Sequence, residues 1–371
     1  MKINLYKNFF KNKKIFITGN TGFIGSYLSL TLSLLGSKVF GYSLKKKDKR
    51  YLSNSLKYKK KIKTITNDII NIQRYKTHLN KVKPSILIHL ASQPFVGMSY
   101  KNTSETYETN ILGTVKLLEL VKEINSIKNI LIFTSDKVYK NLKGKYLSEN
   151  SDLGGIDPYS SSKSCQDIIT NSYKESFFKK DKNILIIRAG NIIGGGDWEM
   201  SRLIPDVYNS IYKNKNFKIR NPKAIRPWQH ILDVINCILM IIIKSHKKIF
   251  NKSIIYNIGP FKNANITVEN LVKKIKIENP KLRITNSKKK YYKETNILKL
   301  SNKHVIKNIG WKPLINTKKS IKLINIWYKN YYKSKTNVFE ITETQIKNFL
   351  ICSNGAPTRT RTADLLITNQ L

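Results

Sequence analysis

The sequence predicts an α/β fold, a doubly wound parallel sheet with a smaller, interleaved C-terminal lobe. Apolar runs of strand length alternate with helix-period segments through the first half of the chain, the pattern of βαβ units whose sheet is covered on both faces. Gly19, Gly22 and Gly25 stand where the first strand meets its helix. After Asn191 the rhythm breaks into shorter elements punctuated by glycine and proline, as in a loop-rich lobe closing over a ligand.

Taken in order, the pattern places strands over 15–18, 38–42, 63–66, 85–90, 130–134 and 184–187. Helices fall over 26–35, 71–81 and 106–123, with another beginning near Pro158. The apolar segment 231–243 returns to pack on the sheet. Residues 10–190 therefore form a nucleotide-binding domain of Rossmann type, completed by segments near 228–260, and residues 191–227 and 261–345 form the substrate-binding lobe. The stretch 350–371 shifts abruptly to Thr and Arg and is expected to be a disordered tail.

Composition removes several classes of function. A chain of 371 residues is long enough for one large or two coupled domains. Its 68 basic and 23 acidic residues give a formal net charge of +45, but the excess is mostly Lys spread evenly with Asn, Ile and Tyr. A nucleic-acid site concentrates Lys and Arg on one stripe with aromatic platforms, so no specific nucleic-acid partner is expected. Cys165, Cys237 and Cys352 lie far apart and suggest neither a metal site nor a disulfide framework. The N-terminal residues lack a secretion-type apolar core, and 231–243 contains Asp233 and Asn236 and falls short of the roughly 20 residues that span a bilayer. A cytoplasmic protein with no membrane partner is expected.

The G-x-x-G-x-x-G spacing at Gly19, Gly22 and Gly25 permits a tight turn and close approach of a pyrophosphate to the N–H groups opening the next helix. Past the second strand, where an acid would hold ribose hydroxyls, Tyr42 to Lys45 carry none and Asp48 comes late. Lys45, Lys46 and Lys47 could attract a 2′-phosphate or could simply be a solvated run. Asp68 and Ile69, at the end of the third strand, suit an adenine edge or an ordinary helix cap equally well. His89 reads as a packed strand residue rather than a catalyst.

Tyr159 and Lys163 are one helical turn apart and project from one face. A lysine ammonium beside a phenol favours phenolate and lowers an ordinary pKa of about 10, so such a Tyr can take a proton from an alcohol as hydride leaves the same carbon. Ser135 ends the preceding strand and can hold that alcohol.

With these residues, the segments Gly19–Gly25, Thr134-Ser-Asp-Lys137, Asp157-Pro-Tyr-Ser-Ser-Ser-Lys163, Arg188-Ala-Gly-Asn191, Gly194-Gly-Gly-Asp-Trp198 and Arg226-Pro-Trp-Gln-His230 resemble the extended short-chain dehydrogenase/reductase family, within it the CDP-glucose 4,6-dehydratases. The resemblance spans about residues 10–350. It implies NAD held by Gly19, Gly22, Phe23, Ile24, Gly25, Asp68, Ile69, Leu90, Ala91, Gln93, Thr109, Tyr159 and Lys163. It also implies CDP-glucose as substrate, bound by Ser135, Asn191, Arg202, Leu203 and Arg226, a homodimer joined through the Tyr159 helix, and a product for deoxysugar or O-antigen-type polysaccharide. Tyr159 would take the C4 hydroxyl proton, Asp136 would protonate the departing C6 hydroxyl, and Lys137 would remove the C5 proton or stabilise the enolate. Arg226 suits a diphosphate because guanidinium pairs two oxygens at once. Trp198 and Trp228 could stack on the base or pack within loops. A sugar-nucleotide epimerase would use Tyr159 and Lys163 without the Asp136–Lys137 pair, and a non-enzymatic polyanion binder would use neither.

Overall fold

Strands and helices alternate through the computed structural model, which describes residues 2–56, 62–140, 144–178, 181–199, 201–246, 254–287, 295–334 and 336–352. The chain begins α1 (Lys2–Phe10), β1 (Lys14–Thr18), α2 (Phe23–Leu34), β2 (Lys38–Ser43), α3 (Leu52–Leu56) and β3 (Ile62–Thr66). It continues α4 (Ile72–Val82), β4 (Ile86–His89), α5 (Val96–Lys101), α6 (Thr103–Tyr107), a π-helical turn (Glu108–Leu112), α7 (Gly113–Lys122) and β5 (Asn129–Phe133). Then come a 3₁₀ turn (Asp136–Val138), α8 (Pro158–Phe177), β6 (Asn183–Ala189), β7 (Ile192–Ile193), α9 (Leu203–Tyr212), β8 (Phe217–Ile219), β9 (Ile225–Pro227) and β10 (Gln229–His230). The last part holds α10 (Ile231–Ser245), β11 (Ile254–Ile258), β12 (Asn265–Thr267), α11 (Val268–Glu278), β13 (Ile284–Asn286), α12 (Lys303–Ile309), α13 (Thr317–Tyr332) and α14 (Val338–Cys352).

Seven strands pair in parallel in the order β3-β2-β1-β4-β5-β6-β11, as the alternation predicts. The order reverses between β1 and β4, which opens a crevice at their carboxyl ends. Side chains alternate between two cores: Ile15, Ile17, Leu131 and Ile187 face α2, α10 and α14, while Phe16, Ile130 and Ile186 face α4, α7 and α8. Both faces are dry, which explains why these strands are apolar throughout. A third cluster fills the lobe around Trp198, Tyr208, Trp228, Leu271 and Trp327, and three two-stranded ribbons stiffen it.

Three features differ from the sequence expectation. Lys2–Phe10 is helical, and Tyr6 donates to Asn236 Oδ1 at 2.8 Å, fastening α1 to α10. The helix expected over 106–123 is interrupted by the π turn, whose wider coil turns Asn110 inward; its Nδ2 donates to Gln93 O (3.1 Å) and Ser162 Oγ (2.9 Å), and its Oδ1 accepts from Gln93 N (2.8 Å). Helix α14 runs to Cys352 and buries Phe349 and Leu350, so the tail expected from 350 begins no earlier than 353; residues 353–371 lie outside the described residues. Among the described residues no helix is long and apolar enough to cross a membrane, and no cluster could hold a metal ion.

Candidate active site

The glycine turn lies at the strand-order reversal. Gly19 adopts φ +70°, and a Cβ there would lie 2.6 Å from Ala91 N, so only glycine lets β1 meet the end of β4 so closely. A Cβ on Gly25 would strike Gly19 O at 2.2 Å. Gly22 caps α2 without any side-chain acceptor, leaving the opening N–H groups of that helix for a ligand. This cradle fits a dinucleotide pyrophosphate. Phe23 is buried and Ile24 half-buried on the core side of α2, while Leu90 and Ala91 abut Gly19 as the wall of the turn, with Gln93 half-buried just beyond. Thr109 lies in the π turn beside Asn110, and Ile69 packs beneath Gly113. Asp68 is exposed and accepts from Ile70 N at 3.0 Å, a local loop turn, while Asn71 takes the cap position of α4.

Two residues of this wall carried no assignment in the sequence reading. Asn20, 1% exposed, fills the space above Gly41 and donates to Thr64 Oγ1 at 2.7 Å, locking the turn onto β2 and β3. Thr21 Oγ1 lies 2.6 Å from Ser43 Oγ. Beyond Ser43, Asp48 is engaged by Arg50 (Nε to Oδ2, 2.8 Å) and Lys46 pairs with Glu199, so neither stands apart to read a ribose. Arg50 in turn lies 4.6 Å over the Trp198 ring, tying this loop to the lobe.

Beyond β5 the chain turns through Ser135 and the 3₁₀ segment, placing Ser135, Asp136 and Lys137 beside the start of α8. Asp157 caps α8 by accepting from Ser160 N at 2.9 Å, with Pro158 in the first turn, so Tyr159 is fixed one residue inside a well-formed N-terminus. Ser135 Oγ donates to Asp136 Oδ1 at 3.1 Å, and it lies close enough to Tyr159 to pull the phenol's pKa down. One hydroxyl has one proton, so Ser135 serves Asp136 or the Tyr159 oxygen at a given moment. Asp136 is 1% exposed, and among the described residues its Oδ2 has no hydrogen-bond partner. Burial pushes its carboxyl up, against the opposing pull of Lys137, Ser135, Arg226 and Asn191. Gly190 makes the room: a Cβ there would lie 1.9 Å from Asp136 Oδ2.

The expectation that Lys163 draws the Tyr159 phenol downward is not met in this arrangement. Burial dominates and pushes Tyr159 up to about 12, opposed by the Ser135 hydrogen bond and the Arg202 charge and reinforced by Asp136 and Asp157. Lys163 is 2% exposed, its pKa lowered to about 7 by burial, and its Nζ donates to Gln166 Oε1 (2.9 Å) and Phe133 O (3.4 Å). A lysine that is neutral part of the time is a weaker lever on its neighbour than a permanent cation.

On the lobe side, Arg226 is 5% exposed, anchored through Nη1 to Ile225 O and Asn296 O, with its charge felt by Asp136. Arg202 is braced by Asp197 at 3.1 Å and lies 5.0 Å over Phe95, with its charge felt by Tyr159. Leu203 follows at the start of α9, and Asn191, half-buried at φ +48°, sits just past Gly190. Lys137, Arg202 and Arg226 thus surround one floor, an electrostatic setting for an anionic substrate. Trp198 and Trp228 do not border it as stacking platforms. Trp198 is buried among Trp327, Tyr328 and Tyr331, and Trp228 donates Nε1 to Ile266 O at 3.1 Å. Arg188 likewise belongs to the framework, paired bidentately with Asp167 at 2.8 Å between β6 and α8.

A family model described as GDP-mannose 4,6 dehydratase matches residues 16–324. The chain belongs to this dehydratase family. That bears out the resemblance to the extended short-chain dehydrogenase/reductases. The chain is 34% identical over 337 residues to CDP-glucose 4,6-dehydratase of Salmonella typhimurium, covering 89% of this chain and 94% of that protein. It is 26% identical to human dTDP-D-glucose 4,6-dehydratase over 348 residues, with 89% and 94% covered. Among solved structures, an epimerase from Methanothermobacter thermautotrophicus superposes with TM-score 0.79 at 18% identity, covering 90% of this chain and 97% of that one. A dTDP-glucose 4,6-dehydratase from Bacillus anthracis, in complex with NAD, gives 0.72 at 21% identity, with 86% and 97% covered. These two structures share its fold.

Proposed function

We propose that the chain converts CDP-D-glucose to CDP-4-dehydro-6-deoxy-D-glucose and water, using NAD as a resident cofactor. One observation carries the dehydration: Asp136, buried against Ser135 and Tyr159 with its carboxyl pushed toward the protonated form. An enzyme limited to hydride transfer at C4 needs Tyr159 but has no use for a second proton donor on the same floor. The 34% identity to a CDP-glucose 4,6-dehydratase supports the choice of nucleotide.

When bound, the nicotinamide would supply a hydride acceptor for C4 and, once reduced, a hydride donor for C6, and the positive charge of its oxidised form would favour the Tyr159 phenolate that burial alone disfavours. The glycine cradle would hold the cofactor's pyrophosphate, and Lys163 would steady its nicotinamide ribose. Tyr159 takes the C4 hydroxyl proton while Ser135 holds that oxygen. Asp136 gives its proton to the departing C6 oxygen. Lys137 acts at C5, and Arg202 and Arg226 hold the diphosphate from the lobe formed by 191–227 and 261–345. Exposed Leu112, Ile168 and Phe177 on the π turn and α8 support a homodimer through these helices. The cytoplasm, where sugar nucleotides for polysaccharide are made, is the proposed compartment.

The test incubates purified protein and NAD⁺ with CDP-glucose, dTDP-glucose, UDP-glucose and GDP-mannose separately, reading the alkaline absorbance of a 4-keto-6-deoxy sugar. CDP-glucose is expected to give the highest kcat/KM. A product that retains the C6 hydroxyl sinks the dehydration, and preference for another nucleotide sinks the CDP assignment.

A further inference from the structure

We infer that Gln166 is a positioning residue for Lys163, held in one orientation by a buried hydrogen-bond chain that starts at the cofactor turn. The inference rests on the role proposed for Lys163. Thr18, His89, Thr114, Lys163 and Gln166 are each at most 2% exposed and come from β1, β4, α7 and α8. Thr18 Oγ1 lies 2.7 Å from His89 Nδ1, and His89 Nε2 lies 3.2 Å from Thr114 Oγ1. Gln166 Nε2 donates to the same Thr114 oxygen at 2.8 Å, and Lys163 Nζ donates to Gln166 Oε1 at 2.9 Å.

The proton positions in this chain follow from counting. Thr114 gives its one hydroxyl proton to Asn110 O at 2.8 Å, so toward His89 and Gln166 it can only accept. His89 must therefore carry its proton on Nε2. Burial lowers its pKa to about 3, so the ring is neutral and Nδ1 is an acceptor, matched by the Thr18 hydroxyl. Thr18 Oγ1 in turn accepts from Ala91 N at 3.3 Å, on the strand end that touches Gly19. Flipping the Gln166 amide would set its NH₂ against the Lys163 ammonium and its oxygen against an acceptor-only Thr114. Both contacts would be repulsive whenever Lys163 is charged, in a site buried from solvent. The amide is thus fixed with its oxygen on Lys163. With Phe133 O taking a second N–H at 3.4 Å, the third ammonium proton has no acceptor among the described residues and is left for the cofactor.

The test compares Gln166→Met, which keeps volume and removes the acceptor, with Gln166→Glu, which restores an acceptor facing Lys163. NADH affinity, read by the fluorescence of the bound cofactor, requires no sugar substrate. Gln166→Met should weaken it about ten-fold and slow C4 oxidation at saturating CDP-glucose by at least as much, the scale of one hydrogen bond to a charged group. Gln166→Glu should fall between wild type and Gln166→Met on both readouts, because the charge-assisted contact to Lys163 is kept while its second oxygen meets the acceptor-only Thr114. Thr114→Val should mimic Gln166→Met, and the double variant should be no worse than the poorer single, since both cut one chain. Gln166→Glu as poor as Gln166→Met, or losses that add in the double variant, overturn the inference in favour of simple packing. Wild-type protein that binds NADH yet leaves CDP-glucose untouched fails the proposed function alone, and the NADH series still decides the role of Gln166.

Discussion

Replacing Gly190 with alanine puts a methyl group 1.9 Å from Asp136 Oδ2 and 2.0 Å from its Cγ. Ordinary contact begins near 3.4 Å, so the carboxyl must withdraw by about 1.5 Å, and it is a short, buried side chain with nowhere flexible to go. The backbone at Gly190 is not in the left-handed region, which confines the damage to this contact. Displacing a proton donor by more than 1 Å costs on the order of 100-fold in the step it serves. Elimination should slow by that factor while Tyr159 and Ser135 still support hydride transfer from C4 to NAD⁺. In a single turnover with CDP-glucose and bound NAD⁺, NADH absorbance should rise at near the wild-type rate and then persist instead of decaying. Asp136→Asn should give the same trace. Turnover within about three-fold of wild type would refute the placement of Asp136 as the acid, since a donor moved this far cannot keep its efficiency. Loss of the NADH rise itself would show that Gly190 supports the whole floor.

Lys137→Met should slow elimination after C4 oxidation, and Lys137→Arg separates its two roles, because guanidinium keeps the charge yet cannot take the C5 proton. Recovery in the Arg variant means enolate stabilisation; deuterium wash-in at C5, measured by mass spectrometry, should fall in both variants if Lys137 is the base. His89 and His230 both have pKa values lowered to about 3 by burial, against about 6.5 when unfolded, so the unfolded chain binds more protons below that value. Stability should be intact above about pH 6.5 and fall toward pH 3 by about 1.4 kcal/mol per unit for each histidine; urea unfolding across this range in wild type and His230→Asn should show a shallower slope in the variant. Arg188→Met leaves Asp167 charged and buried, and urea unfolding should register a loss of about 3–5 kcal/mol, whereas Arg188→Met with Asp167→Leu should recover most of it.

The sheet was legible because its signal is local. Runs such as Ile130-Leu-Ile-Phe133 are apolar on both faces, and a strand so written has nowhere to lie but inside. The glycine turn and the Tyr159–Lys163 spacing are likewise carried by neighbours in sequence. What escaped was set by contacts between distant residues. Gly190 matters through Asp136, and Asn110 turns inward for Gln93 and Ser162, neither of which marks the sequence nearby. Trp198 reads alike whether it meets a base or Trp327, and only the arrival of α13 decides. The protonation of Tyr159 followed the same rule: spacing put a cation one turn away, but burial, which no spacing reports, set the larger effect.

The last strand of the sheet has a consequence for how the molecule is assembled. β11 pairs beside β6, yet the chain passes through α9, four ribbon strands and α10 before returning to it. Helix α14 then comes back from the lobe to seat Ile346, Phe349 and Leu350 against the core around α2. The lobe is thus stitched to the sheet at both ends, and neither half can shed the other without exposing its own apolar interior. Heat should therefore melt both in one transition rather than two, and a chain emerging from the ribosome cannot close its sheet until the first lobe segment, 191–227, has been made.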